Sequence, residues 1–233
     1  MKINRPDNSG PDKDKDETRG RGRPRGKKNV IDSNEKFEYE TIQIIKKIRE
    51  GEDLAFNDLI ERYKRQVAAV AFRMVGDYDE AEDIAQMVFV KTAKNLNKFD
   101  ITKKFSTWLY RITVNASIDF MRKHKRHKHE LIDNYSESLE NEEDNPEEIL
   151  NRKKLRGIIL KAADTLNDKQ KAAFILRDLE GHQIDEVSEI LDMPEATVRW
   201  YLHRARIRLR KELKRNYGGY LGEIYNVNAL SGN

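Results

Sequence analysis

An all-α chain of two small helical domains is predicted by three observations. Apolar residues recur at spacings of three and four over two separate stretches of the 233 residues. No run alternates apolar and polar residues for long enough to make a convincing strand, and no internal repeat is visible. Between the two stretches lies an acidic segment with few apolar residues: residues 130–148 hold nine Asp/Glu and no Lys or Arg. It reads as a linker.

The elements follow in chain order. Residues 1–35 are rich in Gly, Pro and charge and almost lack large apolar residues, so a disordered basic tail is expected. From Phe37 the helical period begins, with Ile42, Ile45 and Ile48 as a first stripe that Gly51 interrupts. Phe56, Leu59, Ile60, Tyr63, Val67, Val70 and Met74 form a second helix, which Gly76-Asp77 ends. Ala81, Ile84, Val88 and Leu96 mark a third, and Phe105, Trp108, Leu109, Ile112 and Ala116 a fourth. After the linker, Leu155, Ile158, Ile159 and Ala162 resume the period, and short helices continue to about Arg215. The expected divisions are a tail over 1–35, a domain over 36–128, a linker over 129–148, a second domain over 149–215 and a loose C-terminal tail over 216–233.

Composition excludes several classes. The chain has no Cys, so it holds neither a disulfide framework nor a Cys zinc site. No apolar run approaches the roughly 20 residues of a membrane span, and the polar N-terminus is unlike a signal peptide; a cytoplasmic location without membrane insertion is expected. P-loop, nucleophile-elbow and HExxH motifs are missing, so no catalytic residue and no cofactor is expected. His124, His127 and His129 sit among Lys and Arg that repel a cation, so no metal is expected there either.

Charge is 37% of the chain, yet the net charge is only +4, so its distribution carries the information. Residues 1–28 hold ten Lys/Arg against five Asp/Glu; residues 122–128 hold five Lys/Arg and no acid; residues 199–215 hold eight against one Glu. Basic blocks beside folded segments point to a polyanion, with solvated helix faces as the alternative. Arg21-Gly22-Arg23-Pro24 resembles the core of an AT-hook, a minor-groove peptide; nonspecific phosphate attraction is its alternative.

The C-terminal basic block belongs to a helix-turn-helix. Ile184, Val187, Ile190 and Leu191 form one apolar face, Asp192-Met193-Pro194 breaks the helix, and Val198, Leu202, Ala205 and Leu209 form the buried stripe of the next. The other faces of that second helix carry Thr197, Arg199, Trp200, His203, Arg204 and Arg206, with Arg208 further on. A short helix, a tight turn and a basic helix suit the major groove. Arg199 and Thr197, near the helix start, are the candidates for base contact; Arg204, Arg206 and Arg208 suit phosphates.

These residues carry a family resemblance. Thr165-Leu166-Asn167-Asp168 through Glu186-Val187, with Ala196-Thr197-Val198-Arg199 and His203-Arg204-Ala205-Arg206, resembles sigma domain 4. Asp79-Glu80-Ala81-Glu82-Asp83-Ile84-Ala85-Gln86 with Val88-Phe89, then Phe105-Ser106-Thr107-Trp108-Leu109-Tyr110-Arg111-Ile112 with Asn115, resembles sigma domain 2. In this order, over residues 39–128 and 149–215, the chain resembles the extracytoplasmic-function (ECF) group of bacterial RNA polymerase sigma factors.

The resemblance implies roles. Asp83 and Gln86 match positions that dock on the clamp helices of the core polymerase largest subunit; Met87 replaces the usual acid beside them. Domain 4 would in turn meet the polymerase flap. The loop Phe99–Lys104, with Lys103, and Asn115 match the surroundings of a pocket for a flipped base of the −10 element. Tyr110 and Arg111 leave the apolar stripe and face DNA on this reading, while Arg122 and Lys123 grip phosphates and Trp108 packs in the core. The helix from Thr197 would read the −35 element. The acidic linker resembles the family connector near the RNA path, or is a solvated tether. An anti-sigma partner is implied by family habit alone. A helix-turn-helix repressor and a nucleic-acid enzyme are the rival readings; the first lacks the domain 2 motifs and the second any acid, base or metal constellation.

Overall fold

The computed structural model describes the backbone of residues 26–124 and 146–230, and the side chains of residues 34–124 and 154–218. Within these residues the chain is helical and contains no strand. Helix α1 spans Gly26–Arg49, α2 Ala55–Val75, α3 Tyr78–Asn95 and α4 Phe105–His124. A 3-10 turn, Leu96–Lys98, follows α3, so Leu96 lies just beyond the third helix rather than on it. In the C-terminal half come α5 (Pro146–Ala163), α6 (Asp168–Phe174), α7 (Ile184–Leu191) and α8 (Glu195–Leu230), with a π turn at Ile175–Leu179 that the periodicity did not signal.

Helices α2, α3 and α4 pack on one another around a shared core. Leu59, Tyr63, Val67, Val70 and Met74 of α2 are buried at spacings of four and three, meeting Ile84 and Val88 of α3 and Phe105 and Leu109 of α4. Gly76 ends α2 in the left-handed region, φ 84°, and its N–H donates to the Phe72 carbonyl at 2.7 Å. The next residue, Asp77, caps α3 by accepting from the Glu80 N–H at 2.9 Å. The dipeptide legible as a break is thus one helix stop followed by one helix start. Inside α4, the buried hydroxyls of Thr113 and Ser117 donate to the Leu109 and Thr113 carbonyls, each at 2.9 Å.

The second domain folds α5, α6 and α7 against α8. Val198, Leu202, Ala205 and Leu209 line the buried side of α8, and Val187 and Ile190 that of α7. Between α7 and α8, Asp192 adopts φ 52°, ψ 55°, a conformation that Asp tolerates better than most residues. The turn is closed by the Ser188 hydroxyl donating to the Met193 carbonyl at 2.6 Å and the Met193 N–H to the Ser188 carbonyl at 3.1 Å.

Two boundaries move. Helix α1 begins at Gly26, inside the stretch assigned to a disordered tail, because residues 27–36 contain neither Gly nor Pro and a helix propagates at one hydrogen bond per residue once nucleated. Helix α8 runs to Leu230, where a loose tail was expected. Gly218 and Gly219 each cost about 1 kcal/mol in a helix, which the anchored turns before them offset. The AT-hook-like peptide, His127, His129 and most of the acidic linker lie outside the described residues.

Candidate nucleic-acid interface

A cleft of about 560 Å³ opens on the first domain between α3 and α4. Lys91, Asn95 and Lys98 line one side; Trp108, Ile112 and Asn115 line the other. Each trio has the spacing i, i+4, i+7, which puts its members on one stripe of its segment. Among the described residues no hydrogen bond engages the Asn115 side chain, which is exposed, so both its donor and its acceptor are open. The Asn95 amide donates to the Lys91 carbonyl at 2.9 Å. An aromatic wall, an apolar floor, two amides and two ammonium groups make a site with a flat surface, polar edges and positive charge. That combination suits an unpaired base and its phosphate.

Sequence reasoning placed Asn115 here but missed Lys91, Asn95 and Lys98, whose helical spacing on a basic segment was the available signal. Trp108 is both core and wall: its ring lies 5.2 Å from Phe99 and 5.6 Å from Phe105, and its other side lines the cleft. Phe99 is 4% exposed, so the expectation that its side chain meets DNA is corrected. Its ring packs edge-on to Phe105 at 5.4 Å, because an aromatic at the end of a turn finds more contact in the core than on the surface. Lys103 and Lys104 stay exposed in the loop, and Lys123 at the end of α4.

Other residues expected to face DNA, in α4 and at the loop end before it, pair with the second domain while staying partly exposed. Arg111 pairs with Asp192 at 2.6 Å, Arg122 with Asp168 at 3.5 Å, and Lys104 with Glu186 at 2.8 Å. Arg73 of α2 pairs with Glu180. Tyr110 packs edge-on to His182, ring centroids 4.8 Å apart, and burial pushes its hydroxyl pKa up. Every one of these partners is on the second domain, and every ion pair puts the acid there. Periodicity within one helix shows which residues leave its core stripe, but not which neighbour covers them.

His182 sits at the middle of this contact. Burial lowers its pKa and the Lys104 charge adds to that; the Glu186 carboxylate, 3.5 Å from Nδ1, opposes both. For Glu186, burial works against the charge, but hydrogen bonds from Lys104 and the Gln183 N–H hold its pKa below the usual range. A neutral, depressed His182 favours the folded contact above the ordinary imidazole pKa of about 6.5 and loses that contribution as pH falls through it toward the folded value. Thermal stability of the chain should therefore decline between pH 7 and pH 5.5, and His182→Gln should flatten that decline. An unaltered slope in the variant would assign the decline to other groups.

On α8, Arg199, Trp200, His203, Arg204 and Arg206 are exposed and Thr197 is half-buried. Trp200 is 52% exposed and the Arg204 guanidinium lies 5.4 Å from its ring centroid. Arg199 pairs with Glu195 one turn earlier at 2.7 Å. Arg206 forms a two-point pair with Asp178, at 2.6 and 3.0 Å, so it fastens α8 to the π turn after α6 and is less available to phosphate than its neighbours. On α3, Asp83 and Gln86 are exposed beside Met87 and Val90, which are 38% and 53% exposed. That face is turned away from the core residues Ile84 and Val88. Among the described residues no helix is long and apolar enough to cross a membrane, and no cluster of candidate metal ligands occurs.

A helical domain with a basic, amide-edged cleft, joined in one chain to a helix-turn-helix, has the architecture of a two-domain DNA-binding protein. Comparison with known families agrees: residues 59–127 match Sigma-70 region 2, and residues 156–209 match Sigma-70 region 4. The ECF RNA polymerase sigma factor SigW of Bacillus subtilis is 35% identical over 178 residues, covering 73% of this chain and 95% of that protein. The ECF RNA polymerase sigma-E factor of Escherichia coli K12 is 32% identical over 170 residues, covering 70% and 88%. Two solved structures share the fold. CnrH in complex with the cytosolic domain of CnrY has TM-score 0.57 and 19% identity, over 75% of this chain and 97% of that one. The sigma factor RpoE in complex with the anti-sigma factor NepR from Bartonella quintana has TM-score 0.52 and 22% identity, over 69% and 98%. The chain belongs to the ECF group of the sigma-70 family of RNA polymerase sigma factors, which are DNA-binding transcription initiation factors and not enzymes.

Proposed function

We propose that the cleft between α3 and α4 receives an unpaired base of the −10 element, while the exposed side of α8 reads the −35 element. The observation that carries this reading is the cleft itself: Trp108 and Ile112 supply a wall and floor, Asn95 and Asn115 the polar edge, Lys91 and Lys98 the charge. At α8, Arg199 and Thr197 are placed at the helix start where bases are within reach, and Arg204 and His203 where phosphates run. The exposed α3 face of Asp83, Gln86, Met87 and Val90 suits a protein partner, and we assign it to the clamp helices of core polymerase. An apolar groove on the second domain, floored by Ile159, Phe174, Leu209 and Leu213 and rimmed by Arg210 and Lys214, suits the flap. The protein would act in the cytoplasm and be held in check by an anti-sigma partner.

The arrangement of the two domains is the resting form on this reading. Lys104, Arg111 and Arg122 cannot hold Glu186, Asp192 and Asp168 and at the same time neutralise phosphates, so the second domain must leave α4 when the promoter is engaged.

Reconstitution with bacterial core polymerase tests the assignment. The chain should direct initiation from a promoter bearing both elements. Asp83→Ala with Gln86→Ala should weaken assembly with core roughly threefold to tenfold, the loss of a few polar interface contacts, and leave duplex −35 binding intact. Tight duplex binding without any initiation would favour the repressor reading.

A further inference from the structure

Helix α1 takes no part in the cleft, yet two of its charged side chains hold the backbone on either side of it. Arg49 Nη2 donates to the Leu96 carbonyl at 2.8 Å and also to the Phe99 carbonyl. These two carbonyls bracket Lys98, which lines the cleft. At the other end of the loop, the Glu38 carboxylate accepts from the Phe105 N–H at 3.0 Å and the Ser106 N–H at 3.3 Å. It thereby caps the first turn of α4, the turn that leads to Trp108, and a carboxylate there also complements the helix dipole. The loop between is closed on itself: Asp100 accepts from the Thr102 N–H and hydroxyl at 3.0 and 2.8 Å.

The part of α1 that carries these groups is itself fastened to α2. Arg62 donates to Glu40 at 2.6 Å and to the Phe37 carbonyl at 3.1 Å, and lies 3.9 Å from the Phe37 ring centroid. The Thr41 and Tyr63 hydroxyls meet at 3.2 Å in the core. A rigid path therefore runs from α2 through α1 to both shoulders of the cleft. Partners for the carbonyls around the 3-10 turn, and for the free N–H groups at the start of α4, would suffice for stability from any source. Here both come from one helix, across 47 and 67 residues of sequence.

We propose that Arg49 and Glu38 are positioning residues that preset the spacing of Lys98 and Trp108, and through it the selectivity of the cleft for the base it holds. This rests on the reading of the cleft as the −10 base site. Preorganisation of this kind governs discrimination more than overall affinity, because phosphate contacts elsewhere supply most of the binding. Arg49 suits the task because both bonds leave one nitrogen of a planar guanidinium, which fixes their directions, whereas a lysine ammonium turns freely at the end of a flexible stem.

The test uses holoenzyme assembled from the full chain and bacterial core polymerase, with −10 single-stranded oligonucleotides. The probes carry each of the four bases, or an abasic residue, at each −10 position in turn. Wild type should prefer one base over the abasic probe at one position. Arg49→Ala and Glu38→Ala should each reduce that preference about fivefold to tenfold, part of what a placed polar base contact supplies. Abasic-probe affinity, core assembly and melting temperature should change less than twofold or by only a few degrees. Arg49→Lys should recover part of the preference.

A second readout is the emission of Trp108 in the free chain with Trp200→Phe, which leaves Trp108 as the only indole of the two in the sequence. It should shift in Arg49→Ala and return toward wild type in Arg49→Lys. Undiminished preference in both alanine variants, with unchanged Trp108 emission, overturns the proposal while leaving the base site standing. Loss of abasic-probe affinity in step with preference, or loss of fold in Arg49→Ala without selective loss in Arg49→Lys, also overturns it, in favour of a structural role. A wild type that prefers no base at any position would instead remove the base site, and the proposal with it.

Discussion

Holoenzyme carrying Asn115→Ala should form open complexes roughly 10- to 100-fold less efficiently, in line with the roughly 1–3 kcal/mol of a two-point base contact. Asn115 stands at the open edge of the cleft, and among the described residues nothing else engages its amide. Its removal costs no internal hydrogen bond, so the folded chain should be unaffected, with a melting temperature within a degree or two of wild type. The defect should be confined to one position of the −10 strand. An abasic residue there should bind wild type and Asn115→Ala equally, since the missing base edge and the missing amide are the two ends of one interaction. Initiation on a promoter melted beforehand should recover only in part, because capture of the base both drives melting and holds the open strand. An equal loss on wild-type and abasic probes would show that Asn115 acts on the backbone of the strand and not on a base.

The second large effect should be a gain. Neutralising the acids that pair with Lys104, Arg111 and Arg122, with Glu186→Gln, Asp192→Asn and Asp168→Asn together, should raise the affinity of the free chain for the −10 single strand by about tenfold or more. Each ion pair at this partly exposed contact contributes little, roughly 0–1 kcal/mol, so single changes should have small effects and the triple change a visible one. The substitutions are chosen to spare the fold. Gln at 186 can still accept from the Gln183 N–H, which Glu186 does at 3.1 Å, and Asn tolerates the left-handed conformation of residue 192. The gain should shrink at high salt, where the pairs are already screened. It should vanish in holoenzyme if polymerase itself separates the domains. Tighter −35 binding by the triple variant, with no change at −10, would place the effect on α8 and end the idea that these acids guard α4.

Both predictions turn on α4, which shows how far the sequence could be read. The period of Phe105, Trp108, Leu109, Ile112 and Ala116 gives the core-directed side of that helix, with Trp108 and Ile112 only half-buried at its margin, and the motif around Asn115 gives one edge of the cleft. What lies on the remaining sides depends on partners from distant segments. Tyr110 and Arg111 leave the core stripe equally whether they meet DNA or another domain; the positions of His182 and Asp192 decide it. The same holds for Phe99, which the family resemblance sets beside the −10 pocket and which the rings of Phe105 and Trp108 bury.

By itself, then, the sequence determined the helical class, the two domains with their acidic separation and the helix-turn-helix, and it offered candidates for the DNA-facing side chains. These are local properties: hydrophobic period, breaks at Gly76 and Asp192, and charge clustered along one segment. Only tertiary structure decided that Lys91, Asn95 and Lys98 face Trp108, Ile112 and Asn115 across a cleft, that α1 holds both shoulders of that cleft, and that acids of the second domain cover the basic side of α4. Those are long-range pairings. Side chains on one stripe of a helix are set by a spacing of three or four residues, but the surface opposite that stripe is set by how helices cross, which no local pattern encodes.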